Sequence, residues 1–226
     1  MNAKNKQNKI LYITVLVTGI VAVVGIGILA YFTVVNNTVK ISQPVSTGQG
    51  SENADVALEG SDETTITPAA VESYTVANDA PRILKIDSLG ISAKVRPMGV
   101  NSAGAVQAPV NIYDSGWYTG SSKPGESGAM FIDAHASGAT RQGLFAYLDT
   151  MKNGNIVSIE RGDGQILTYK VVHVEEVPKD QVDMSKALKV YGDAQEGLNL
   201  MTCTGKWIES EKTYDNRAIV YTERIS

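Results

Sequence analysis

Leu198-Asn199-Leu200-Met201-Thr202-Cys203-Thr204-Gly205 is an apolar run that stops at the chain's one cysteine. Its length and its glycine boundary predict a short strand that ends by delivering Cys203 to a loop. Downstream, Arg217-Ala218-Ile219-Val220-Tyr221 begins the last strand, 218–225, with Arg217 at its head. Upstream, Ile83-Leu84-Lys85-Ile86 after Pro81, residues 91–95 after the Leu89-Gly90 break, and Met130-Phe131-Ile132-Asp133-Ala134 are further short strands. Residues 155–160 and 165–177 read as a hairpin about Gly162-Asp163-Gly164. Leu144, Phe145, Leu148 and Met151 recur at helical spacing between Gly143 and Gly154, which predicts one short helix there. Many short strands with one or two short helices predict a mainly β domain, closed into a barrel.

The chain has 226 residues, 43% hydrophobic and 19% charged, enough apolar material for one folded domain with accessory segments. A net charge of −4 leaves no footprint for nucleic acid, whose phosphates need basic patches. One cysteine cannot form an intramolecular disulfide or a cysteine-cluster metal site, and two histidines suit a zinc enzyme poorly. The charge is unevenly spread. Residues 1–40 hold Lys4, Lys6, Lys9 and Lys40 without an acid; residues 41–79 hold seven acids without a base. Within the first of these, 10–35 are 26 residues without a charge, long enough to cross a bilayer and too long for the core of a cleaved signal. The expected order is a basic cytoplasmic tail 1–9, a transmembrane helix 10–35, an acidic flexible linker 36–79, and an extracellular domain 80–226.

Three side chains carry the chemistry. A lone cysteine is commonly a small buried hydrophobe, but Cys203 sits at a strand end beside a loop, in a compartment where an idle thiol is a liability. A thiol becomes a nucleophile by losing its proton, and imidazole is the usual partner. His135 follows the 130–134 strand, whereas His173 alternates with Tyr169 and Val171 inside a long strand and reads as structural. Arg217 is either a surface charge or a guanidinium aimed at a developing oxyanion; spacing alone leaves both open.

His135, then Leu200-Met201-Thr202-Cys203, then Arg217 heading a last strand, in that order, resembles the sortase family. Residues 81–86, Gly116-Trp117-Tyr118, Pro124-Gly125-Glu126-Ser127-Gly128 and Leu144-Phe145-Ala146-Tyr147-Leu148 extend the likeness across the whole domain. The resemblance implies a cysteine transpeptidase that cleaves an LPxTG-like sorting signal through a thioester on Cys203. Arg217 would stabilise the oxyanion and His135 would act as acid and base. Secreted proteins bearing such a signal, a cell-wall or protein amine as acceptor, and the bilayer are the implied partners. Thr202 is expected to support the cysteine strand and line the groove. Ala134 stands where many sortases have glycine, and alters one groove wall. Gly205 and the Gly-Trp-Tyr stretch resemble class F, the placing of Arg217 resembles other classes, and the tether lacks the Asp-Pro-aromatic lid element of class C. No cofactor is expected. Some relatives bind calcium through loop carboxylates; Glu175, Glu176, Asp180 and Asp183 read here as a solvated acidic stretch. The alternatives are a cysteine-dependent extracellular peptidase, in which water replaces the amine, and a non-catalytic membrane-tethered binding module. The Ser-His-Gly-Cys run of a cysteine L,D-transpeptidase is absent from the sequence.

Overall fold

The computed structural model describes residues 61–102 and 104–226. The transmembrane helix expected at 10–35 lies outside them, and among the described residues no helix is long and apolar enough to cross a membrane. Eight strands form a closed barrel: β1 Pro81–Ile86, β2 Ile91–Met98, β3 Ser115–Tyr118, β4 Gly128–Asp133, β5 Ile156–Arg161, β6 Ile166–Pro178, β7 Glu196–Ile208 and β8 Thr213–Arg224. Round the barrel their order is β1-β2-β3-β4-β7-β8-β6-β5, with β5 closing on β1. Among the described residues the α-helices are two single turns, α1 Pro68–Glu72 and α2 Met184–Ala187, besides short 3-10 segments.

Strand alternation divides the side chains. Met130, Ile132 and Ala134 of the β4 line, Leu198 and Leu200 of β7, and Val220 of β8 enter the core with Leu84, Phe145, Leu148 and Tyr169. The intervening positions, including Asp133, His135, Met201, Cys203 and Arg217, face a cavity on the outer side of the same three strands.

Three local readings differ from the sequence expectation. The helix about Leu144–Met151 is absent as an α-helix; a 3-10 turn, Leu148–Thr150, stands in its place. The amides of this segment bond three residues back and not four, Ala146 N to Gly143 O, Leu148 N to Phe145 O, Thr150 N to Tyr147 O and Met151 N to Leu148 O, which makes 3-10 turns in place of an α-helical ladder. Cys203 does not end its strand. β7 continues to Ile208 across a register shift between Thr204 and Trp207, where Gly205 has φ 90°. Arg217 does not open the last strand but lies four residues inside it, because the β7–β8 hairpin extends to Thr213. The expected linker 36–79 also changes character in its described part, where residues 61–79 carry α1 and bond to the barrel. Tyr74 Oη donates to Val95 O at 3.0 Å, and Arg82 Nη1 reaches the carbonyls of Glu72 and Tyr74.

Candidate active site

β4 and β7 run parallel as neighbours, and β8 pairs antiparallel on the far side of β7. The C-terminal ends of β4 and β7 and the N-terminal part of β8 therefore share one rim of the barrel. On β7 and β8, Cys203 and Arg217 are direct cross-strand partners, which places their Cα atoms about 4.5–5.5 Å apart with both side chains on one face. On β4 and β7 the last pair is Asp133 with Met201; two residues further on stand His135, just past the end of β4, and Cys203, within β7. Sequence order thus becomes spatial order, His135, Cys203, Arg217, across three adjacent strands spaced about 4.8 Å apart.

Each side chain is held. Thr202, alternate to Cys203 and buried, donates its hydroxyl to the Ala134 carbonyl at 2.9 Å, bolting the end of β4 to the cysteine strand. The Thr204–Trp207 bulge follows directly. Bulges re-aim neighbouring side chains, and this one needs Gly205: a Cβ there would strike the Asp215 carboxylate, which accepts from Lys206 N at 2.7 Å. The Arg217 guanidinium is fixed by the hairpin it follows, with Nη1 donating to Tyr214 O at 2.9 Å and Asn216 O at 3.0 Å, and Nη2 to Thr213 Oγ1 at 3.2 Å. These bonds leave donors of the five-donor fork to face the cavity. His135 bonds through Nε2 to the Pro109 carbonyl at 2.7 Å. A carbonyl only accepts, so Nε2 carries the proton and Nδ1 is the basic nitrogen of the neutral ring. Burial pushes the imidazole below its usual pKa, and the Pro109 carbonyl acts the other way. Gly143 allows the chain to return close to His135: a Cβ there would collide with the His135 carbonyl.

The cavity these residues share has a volume of about 430 Å³ and is lined also by Ala134, Thr202 and the β2–β3 loop residues Val106 and Ala108. Trp207 and Tyr214, ring centroids 5.3 Å apart and edge-on, form one end. The expected residues therefore gather in one place, Ala134 and Thr202 with them. His173 lies elsewhere, stacked on Tyr191 at 4.7 Å. Sequence reasoning passed over Asp133. The signal was a charge inside the apolar run 130–134. Its Oδ1 is buried without a hydrogen-bond partner, and burial pushes its carboxyl up to about 8. The acidic residues weighed for calcium are engaged otherwise: Glu175 with Lys186 and Tyr221, Glu176 with Asn216, Asp180 with Lys179, and Asp183 as the cap of α2. Among the described residues no group of three or more His, Cys, Asp or Glu is placed to hold a metal ion.

Residues 84–225 match the sortase domain. The chain belongs to the sortase family. Among solved structures it is similar to sortase A from Corynebacterium diphtheriae, a lid mutant, at 20% identity, covering 65% of this chain and 70% of that one with a TM-score of 0.50. Sortase C from Clostridium perfringens SM101 follows at 22% identity, 67% and 73% coverage, and a TM-score of 0.47. The Clostridium perfringens sortase D5 transpeptidase stands at 18% identity, 70% and 86% coverage, and a TM-score of 0.48. At such identities the likeness is one of fold. No curated protein matches the chain.

Proposed function

We propose that this sortase is a membrane-anchored cysteine transpeptidase acting on an LPxTG-like sorting signal, with Cys203 as nucleophile, His135 as acid and base, and Arg217 as oxyanion donor. The observation that supports it is the Cys203–Arg217 cross-strand pair, with His135 two residues past the last β4–β7 pair, at one cavity. Cys203 Sγ gives its proton to His135 and attacks the carbonyl carbon of the Thr–Gly bond. The oxygen gains the electron pair and is met by the Arg217 fork. As the tetrahedral centre collapses, His135 returns the proton to the departing glycine nitrogen, leaving a thioester. An incoming amine then attacks the thioester, His135 takes its proton, and the thiolate leaves and is reprotonated, so the net change is one amide exchanged for another. Arg217 raises the rate only through charge present in the transition state and absent from the substrate.

The test is a sorting peptide incubated with the chain, with and without an added amine. Transfer to the amine supports the reading. Hydrolysis unaffected by amine would make it a peptidase, and binding without cleavage a binding module. Cys203→Ala is expected to abolish turnover. Arg217→Ala is expected to lower kcat about 10²–10³-fold, and Arg217→Lys to recover little, because lysine keeps the charge and loses the planar fork. Arg224→Ala serves as the control. Arg224 lies at the opposite end of β8, paired with Glu196 at 2.8 Å, so its loss should lower stability and spare kcat. If Arg217→Ala changes KM alone, the oxyanion role fails.

A further inference from the structure

The described end of the acidic segment grips both stretches of backbone that hold His135. The first stretch is the one whose Pro109 carbonyl takes the imidazole Nε2. Just beyond it, Asp62 N donates to Val110 O at 2.9 Å and Ile112 N to Asp62 O at 3.0 Å, while Asn111 Nδ2 donates to Asp62 Oδ2 at 3.0 Å. The second stretch is the loop that leaves His135. Thr140 donates its amide to Glu63 Oε1 at 2.8 Å and its hydroxyl to Glu63 Oε2 at 2.5 Å. The Glu63 carboxylate also fills the space over Gly138, where a Cβ would collide with it. That loop is otherwise closed by the Ser137–Gln142 bridge and by Gly143 N donating to Ala136 O at 2.9 Å. Two consecutive acids thus join the segment before the imidazole's acceptor to the segment after the imidazole.

We propose that Asp62 and Glu63 form a clasp that positions His135, so that the segment entering the domain from the N-terminal side sets the geometry of the acid–base residue. The inference rests on the role given to His135 above. A displacement near 1 Å of a catalytic group is enough to lower a rate by about 10²-fold, and the two loops have no regular secondary structure of their own to prevent it. Asp62 is exposed and Glu63 half-buried, and contacts near solvent open at lower free energy than those of a core. The clasp is therefore more easily released than the buried strands that carry Cys203 and Arg217. Thr140 holds the Glu63 carboxyl below the usual carboxylate range, and Thr64 with Asn111 does the same for Asp62, so the clasp is charged at neutral pH.

The chain's two histidines make a direct test possible. The full-length chain, carrying Cys203→Ala so that turnover plays no part, is labelled at histidine and titrated by NMR, with His173 as internal reference. Glu63→Ala is expected to raise the His135 midpoint toward the ordinary value of about 6.5, because a loosened loop rehydrates a ring whose pKa burial lowers, while His173 stays. Loss of a nearby negative charge alone would move His135 the other way. Glu63→Gln keeps an acceptor for Thr140 and is expected to titrate like the parent. The other titratable groups lining the cavity with His135, namely Asp133, Tyr118, Tyr214, Arg217, Lys179 and Lys212, are the same across these variants, all of which carry Cys203→Ala. With Cys203 intact, Glu63→Ala is expected to lower kcat about 10-fold or more, with KM little changed. An unmoved midpoint and unmoved kcat in Glu63→Ala and Asp62→Ala overturn the clasp. So does a fall in kcat that follows melting temperature while the midpoint stays, since that marks a purely structural role. A chain that titrates as expected but transfers no peptide overturns the transpeptidase reading instead.

Discussion

Asp133 is a stability cost placed in the cavity that Cys203 also lines. Its Oδ1 packs where a Cβ on Gly116 would come within 2.9 Å, next to Met98 and Pro109, and no donor meets it. The folded-state pKa, about 8, lies above the ordinary carboxyl value. Between roughly pH 4 and pH 8 the folded chain therefore keeps a proton that the unfolded chain has lost, and stability falls as pH rises through that window; above it both states are ionised and the slope vanishes. Asp133→Asn is expected to melt like the parent at pH 4 and to be more stable at pH 9, by up to about 6 kcal/mol for a pKa raised by roughly 4 at ~1.4 kcal/mol per pKa unit. Denaturant titrations at the two pH values check this, and a constant difference between the proteins would show that the carboxyl is not the titrating group. A lone charge in an apolar run is visible in sequence, whereas the absence of a donor is not, since it depends on Gly116 of the neighbouring strand.

At the scale of elements, the joint between β4 and β7 carries the site. Thr202 bonds across it to the Ala134 carbonyl. Thr202→Val keeps the shape and strands that carbonyl, with an expected loss of about 1–3 kcal/mol and a kcat effect larger than that of a comparable change at β1. Thr202→Ser should restore both; a Val variant with normal melting and normal kcat would show the joint to be idle. Much of this element pattern was legible. The 130–134 and 198–203 runs are apolar because both faces are covered, and the Gly162–Gly164 turn marks its hairpin. The illegible parts have one cause. The ends of β7 and β8 are set by pairing with each other through polar residues 204–217, which carry no apolar period, so Cys203 and Arg217 read as strand termini although they lie within strands. Likewise the spacing of Leu144, Phe145 and Leu148 records burial, not helix: their amides go to residues 112, 135 and 145.

For the whole molecule, the charge pattern and the described strap imply different behaviour along one acidic segment. If residues 10–35 span the membrane with the domain outside, protease added to intact protoplasts is expected to release the domain by cutting within 41–60, because residues 61–79 are bonded to the barrel. Protection of the whole chain would reverse the orientation. The strand order has a consequence in time as well as in space. β7 and β8 are made last, yet they sit between β4 and β6 and join residues as far apart as Asp133 and Met201. Long-range pairing of this kind is slow and exposes strand edges until it is complete. A chain emerging N-terminus first thus remains an open, inert sheet until its last residues arrive. Arg217 joins Cys203 and His135 only when β8 closes the barrel, so a truncated or stalled chain carries a thiol without its guanidinium neighbour.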